Sequence, residues 1–215
     1  MICFLGSSHA AHHLALGAVK RGNQITLNCQ QADVIFISED TPTDANGKRD
    51  LSPILELVDV AVKLRKPIVL TSQVPPGFTR SLCLPSIHHQ AETLRIKDAE
   101  ERAFNPDYIA VGGEEEFHPT YLKYLYSFGC PVLRMSFEEA EMSKIAVNMM
   151  LAAQVDATNN LAEAANKVGA DWTNVAHALA LDKRIGPHAY ITPGRWQDSM
   201  HLLRDHVTLG EILAR

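Results

Sequence analysis

The chain has 215 residues, 46% hydrophobic and 21% charged, with 20 Lys and Arg against 25 Asp and Glu and a formal net charge of -5. That balance lacks the basic excess that nucleic acid or an anionic membrane surface demands, and no run approaches the roughly 18 apolar residues of a membrane span. One domain of about 150 residues plus a substantial second element is the expected organisation.

Cys3, Cys29, Cys83 and Cys130 are far apart, with no C-x-x-C pair. This argues against a zinc ribbon or a disulfide scaffold and predicts reduced thiols in a cytoplasmic protein. The N-terminus lacks the basic segment of a signal peptide.

In chain order, Ile2-Cys-Phe-Leu-Gly6 is an apolar run ending in glycine, followed by Ser7-Ser-His9 and a helical stretch to about Lys20. Strand, tight turn and helix in this order make the first βα unit of a Rossmann-type fold. Ile25-Thr-Leu-Asn-Cys29 stands where a second strand would end beside a ribose, with Asn28 as its polar residue. Asp33 to Ser38 is a continuous apolar strand, as a buried parallel sheet requires. Helical spacing runs from Leu51 to Arg65, and Pro67 to Ser72 is the next strand. A helix is expected from Thr79 to about His88, a strand over Asp107 to Val111, a helix over Tyr121 to Phe128 and a short strand over Pro131 to Met135. The fold class is therefore α/β, a shortened Rossmann-like parallel sheet over residues 1–135.

From Ser136 the character changes. Ser136-Phe-Glu-Glu139 is a capping box, and no proline or glycine follows until Gly169. A helix over that span is about 51 Å long at 1.5 Å per residue, too long for one small domain to cover. It predicts a helical dimerisation region over 136–215 and a homodimer. Asp171 is an N-cap candidate for a helix to Leu181, 182–197 is a loop rich in Gly, Pro and aromatics, and a last helix begins near Asp198. Trp172 is expected in the core. His12-His13 and His88-His89 suggest no metal site, because adjacent histidines on a helix point to different faces. Glu114-Glu-Glu116 is read as the charged first turn of the next helix.

Several motifs occur in a fixed order. They are Thr41-Pro-Thr-Asp44, Lys66 to Gly77 (KPIVLTSQVPPG), Asn105-Pro-Asp107 with Val111-Gly-Gly113, Glu139 to Asn148 (EAEMSKIAVN), Lys167 to Asp171, Asp182 to His188 (DKRIGPH) and Thr192-Pro-Gly194. Together they resemble the UDP-glucose/GDP-mannose dehydrogenase family over nearly the whole chain. The resemblance implies NAD (or NADP) on the Rossmann domain, oxidation of the C6 alcohol of a nucleotide sugar, and a dimer through the long helix.

The departures restrict what the resemblance carries over. The family's G-x-G-x-x-G reads here Gly6-Ser-Ser8-His-Ala-Ala11, so Ser8 and Ala11 replace two glycines. Between Leu27 and Asp33 stand five residues where the family has a further strand and helices, so a weakened cofactor site is expected. Lys144 and Asn148 match the family's K-x-x-x-N, and at i and i+4 they share a helix face. His201 falls at the family's catalytic cysteine, Arg204 at its lysine and Asp205 at its aspartate. Glu92 fits the glutamate of P-E-F-L-R, Ile96 replaces the next glutamate, and Gln73 replaces the threonine of S-T-V-P.

The candidate catalytic residues are thus Lys144, Asn148, Asp205, Glu92 and His201. Gly6, Ser8, Ala11, Asn28, Thr41 and Gln73 are the cofactor candidates, and Arg184, Tyr190 and Arg204 the sugar candidates. Lys144, Asn148 and Asp205 are expected to face one cleft. The family's second nucleotide-binding domain is expected to be absent after Arg215. Losses at 73, 96 and 201 fall on the aldehyde-to-acid step, so two-electron alcohol/carbonyl chemistry is the expected function. The alternative is a catalytically degenerate member that binds a sugar nucleotide or a partner dehydrogenase.

Overall fold

The computed structural model describes residues 1–214, apart from the Ile96 side chain. The chain divides into two units, residues 1–42 with 49–144, and residues 43–48 with the chain from Ile145 onward.

The first unit is built on six strands: β1 (Ile2–Leu5), β2 (Val34–Ile37), β3 (Ile68–Leu70), β4 (Ile87–Gln90), β5 (Ile109–Gly112) and β6 (Val132–Met135). They lie side by side in chain order. All neighbours run parallel except β4 and β5. β2 shows why its sequence is apolar throughout. Val34 and Phe36 enter one cluster with Ile2, Val69, Val111, Tyr121 and Tyr124, while Ile35 and Ile37 enter another with Ile54, Ile68, Leu70 and Phe137. Successive side chains of a strand point to opposite faces, so a strand covered on both sides favours apolar residues at successive positions.

The helices of this unit are α1 (His9–Lys20), α2 (Ser52–Lys63), α3 (Phe78–Ser81), α4 (Ala99–Phe104) and α5 (Pro119–Ser127). α1 packs on α4 at Gly17, where a Cβ would lie 2.2 Å from the Ala103 carbonyl oxygen. Only a residue without a side chain permits that approach.

Four expectations are corrected in the first unit. The helix proposed to His88 ends at Ser81, and Ile87–Gln90 is β4. Its His-His-Gln content conceals a strand, because the buried surroundings that accept those side chains come from distant segments. Ile25 to Cys29 forms no strand: Ile25 makes one isolated parallel bridge to Ile2, and Cys29–Gln31 is a 3-10 turn. That turn brings Cys29 to Cys3, with Cα atoms 5.2 Å apart, and the two are joined in a disulfide. The reading of four reduced thiols therefore fails for this pair, while Cys83 and Cys130 are free. Finally, Glu114–Glu116 precedes α5 and serves in contacts between segments. Glu114 pairs with Arg80, Glu115 accepts from the Ser86 N–H and hydroxyl, and Glu116 lies 3.8 Å from Arg134.

α6 (Phe137–Lys167) runs from the first unit into the second. Its capping box is reciprocal: the Glu139 N–H donates to Ser136 Oγ at 3.3 Å, and the Ser136 N–H donates to the Glu139 carboxylate at 2.7 Å. The second unit adds α7 (Trp172–Leu181) and α8 (Met200–Leu213). Asp171 caps α7 by accepting from the Thr173 N–H at 2.9 Å. Trp172 is half-buried rather than in a core, and its indole N–H donates to the Ile191 carbonyl at 3.1 Å. No helix of the described residues is long and apolar enough to cross a membrane.

Candidate active site

The turn after β1 is shaped by Gly6, whose φ is +117° and whose Cβ would stand 2.1 Å from the Ser38 carbonyl oxygen. Ser8 caps α1, accepting from the Ala11 N–H at 3.1 Å and donating to the Ser38 carbonyl at 2.8 Å. Ser7 donates both its N–H and its hydroxyl to one oxygen of Glu39, at 2.8 and 3.2 Å. Thr41 is buried, with its N–H on Asp40 Oδ1, and Gln73 is half-buried in the loop after β3. Asn28 is exposed and accepts from the Gln30 N–H, capping the 3-10 turn. In that position it works as a local cap, not as the end of a strand.

The long helix supplies the second cluster. Lys144 is half-buried, and one turn on, Asn148 is buried with its Nδ2 donating to Asp205 Oδ2 at 2.6 Å. A carboxylate accepts only, so it settles the orientation of the amide and turns the Asn148 oxygen away from itself. Asp205 is fully buried on α8, and Arg204 beside it is 5% exposed. His201 lies exposed on the first turn of α8. Glu92 lies in the loop after β4, where it accepts from the Leu94 N–H. It borders a small pocket lined also by Gln90, Arg102 and Tyr124.

The loop 182–197 is tied to α6 by side chains. The Gln154 oxygen accepts from the Tyr190 N–H at 2.9 Å, and Thr158 donates to the Tyr190 carbonyl at 2.9 Å. Asn159 exchanges two hydrogen bonds with Gly194, and Asp156 accepts from the Trp196 indole at 2.8 Å. Tyr190 is thus placed through its backbone. Arg184 is exposed and engaged by Asp182 at 2.7 and 3.0 Å.

Three contributors escaped the reading of the sequence. Glu39 holds Ser7. Glu141 is 1% exposed and accepts from the N–H groups of Gly77 and Thr79 at 2.6 and 2.8 Å, fastening the Pro-Pro-Gly turn to α6. Burial raises the Glu141 carboxyl, and those donors oppose the rise. The third is the polar stretch of α6 from Gln154 to Asn159, which holds the loop 182–197. Its one available signal was the cluster Gln, Asp, Thr, Asn, Asn along consecutive turns.

A mostly parallel sheet with a glycine turn after its first strand, followed by a long helix whose buried Asn148 donates to Asp205 of α8, defines a Rossmann-like α/β architecture. Residues 138–205 match the profile of the UDP-glucose/GDP-mannose dehydrogenase family, central domain, and the chain is a divergent member of that family. It is 33% identical over 171 residues to the UDP-glucose 6-dehydrogenase YwqF of Bacillus subtilis, covering 73% of this chain and 39% of that protein. To the UDP-glucose 6-dehydrogenase of Drosophila melanogaster it is 32% identical, covering 73% and 38%. The chain thus spans about two fifths of the length of these relatives. A UDP-glucose dehydrogenase structure from Pyrobaculum islandicum shares the fold at a TM-score of 0.78 and 24% identity, over 97% of this chain and 64% of that one.

Proposed function

We propose that this chain is a nucleotide-sugar dehydrogenase-like oxidoreductase whose chemistry stops at the two-electron alcohol/carbonyl level. The observation that carries the reading is the buried Asn148–Asp205 hydrogen bond, with Lys144 one helical turn before Asn148. In this reading the Lys144 ammonium donates to the sugar oxygen and shuttles its proton. The Asn148 amide, aimed by Asp205, holds a hydroxyl or a water beside it. NAD or NADP would carry the hydride in the family's chemistry. The Ser7 donors it would need are taken by Glu39, so the turn as it stands does not fit the group. An imidazole at 201 cannot form the thiohemiacetal that a second oxidation requires.

The test is calorimetric titration with UDP-glucose and with GDP-mannose, paired with product analysis in the presence of NAD. Expected are saturable binding of one of them, weakened in Asn148→Ala, and one reduced dinucleotide per sugar in any turnover. Lys144→Ala should lower that turnover by about 100-fold. Two reduced dinucleotides per sugar, or binding indifferent to both substitutions, would overturn the reading. Absence of both binding and turnover would favour a degenerate member that acts through a partner protein.

The proposal extends to a homodimer on α6. Its 31 residues span about 46 Å, and Val147, Met150 and Leu161 remain 43%, 64% and 53% exposed along it. Sedimentation at micromolar concentration should show twice 23.7 kDa, and a species of 23.7 kDa alone would remove the dimer.

A further inference from the structure

We infer that the turn after β1 is closed by the chain's own carboxylate, so that a dinucleotide can bind here only in competition with Glu39. The inference takes the class of ligand from the family reading above; the rest follows from the contacts. Ser7, Glu39 and Ser72 stand at or just beyond the carboxyl ends of β1, β2 and β3, three adjacent parallel strands. That is the edge at which open α/β sheets hold their ligands.

Both oxygens of Glu39 are engaged. One accepts the Ser7 N–H at 2.8 Å and the Ser7 hydroxyl at 3.2 Å, and the other accepts the Asp40 N–H at 2.9 Å. The residue's own N–H donates to Ser72 Oγ at 2.8 Å, which anchors its backbone to the loop after β3. These partners are all neutral, so the turn gains a full negative charge.

A pyrophosphate is recognised by free backbone N–H groups between a strand and a helix N-terminus. Here Ser7 in that turn has given its N–H away, and a second anion brought to it would meet the first at close range. Like charges so placed disfavour association strongly. Ser8 adds to the closure. Its hydroxyl bridges the Ser38 carbonyl and the Ala11 N–H, a bridge that a glycine at this position would lack.

The experiment is NADH binding to the full chain, followed by nucleotide fluorescence in the absence of sugar. Glu39→Gln removes the charge and keeps the side chain's volume, and Glu39→Ala is the second variant should one of them fail to fold. Both should bind at least about tenfold more tightly than the wild-type chain, while Glu39→Asp stays weak. Equal affinity in wild type and the neutral variants would overturn the inference, and so would absence of binding in all of them. Sugar nucleotide is absent from this assay, and the reading built on Lys144 and Asn148 is tested by sugar-nucleotide binding. Either can therefore fail alone.

Discussion

Acidification below neutral pH is expected to unfold this protein well before its carboxylates titrate. His88 and His89 lie on β4 at 1% and 2% exposure, and the Nδ1 atom of each is buried without a hydrogen-bond partner. The His88 ring sits edge-on to Phe117 and stacked on Tyr121. Burial pulls His88 down from 6.5 to about 4 and His89 down to about 3. Both rings are therefore neutral in the fold and take up protons only when the chain unfolds. For a depressed native value, the stability is intact above 6.5 and lost as pH falls toward the folded values. With both rings titrating, the slope approaches about 2.7 kcal/mol per pH unit between 6.5 and 4.

Glu141 works in the opposite direction. Its raised carboxyl favours the fold at low pH and loses that contribution as pH rises past its ordinary 4.5, which offsets part of the loss. Urea unfolding from pH 7 to 4.5 measures the effect. His89→Leu should remove about half of the slope, since it takes away one of the two rings that gain a proton on unfolding. A midpoint that does not move between pH 7 and 5 would show that the rings are charged, or hydrated, in the folded state.

The second large effect is expected at Tyr121. It is fully buried among Phe36, His88, Phe117 and Tyr124, and its hydroxyl donates to Gln90 Oε1 at 3.0 Å. Burial raises its phenol well above 10, and the Tyr124 phenol to about 12, so both stay protonated and able to donate. Tyr121→Ala should cost about 3–5 kcal/mol, because it removes a ring from the centre of the cluster on one face of the sheet. Tyr121→Phe keeps the ring and abandons one buried acceptor, for about 1–2 kcal/mol. Chemical denaturation of the two variants separates packing from hydrogen bonding. Equal losses would mean that the buried polar contact, not the packing, dominates.

Much of this molecule was legible from neighbours close in the chain. β2 announced itself by an unbroken apolar run, the pattern that a strand covered on both faces favours. The start of α6 was readable in Ser136 and Glu139, and that of α7 in Asp171, because a cap acts on amides two or three residues away. Lys144 and Asn148 were singled out by the resemblance to a K-x-x-x-N motif, whose i and i+4 spacing sets both on one helix face.

The remaining features join residues far apart in the chain, and local pattern carries no signal for them. Glu39 meets Ser7 across 32 positions, Cys29 meets Cys3 across 26, and Glu141 meets the Gly77 N–H across 64. His88 and His89 read as polar residues of a helix because the sheet that buries them is assembled from β3 and β5 on either side. Residue type and spacing thus carry which elements form and which faces are apolar, since both depend on contacts within a few residues. Whether the turn after β1 stands open to a phosphate depends on a carboxylate delivered by the next strand, and packing of the sheet is what brings the two together.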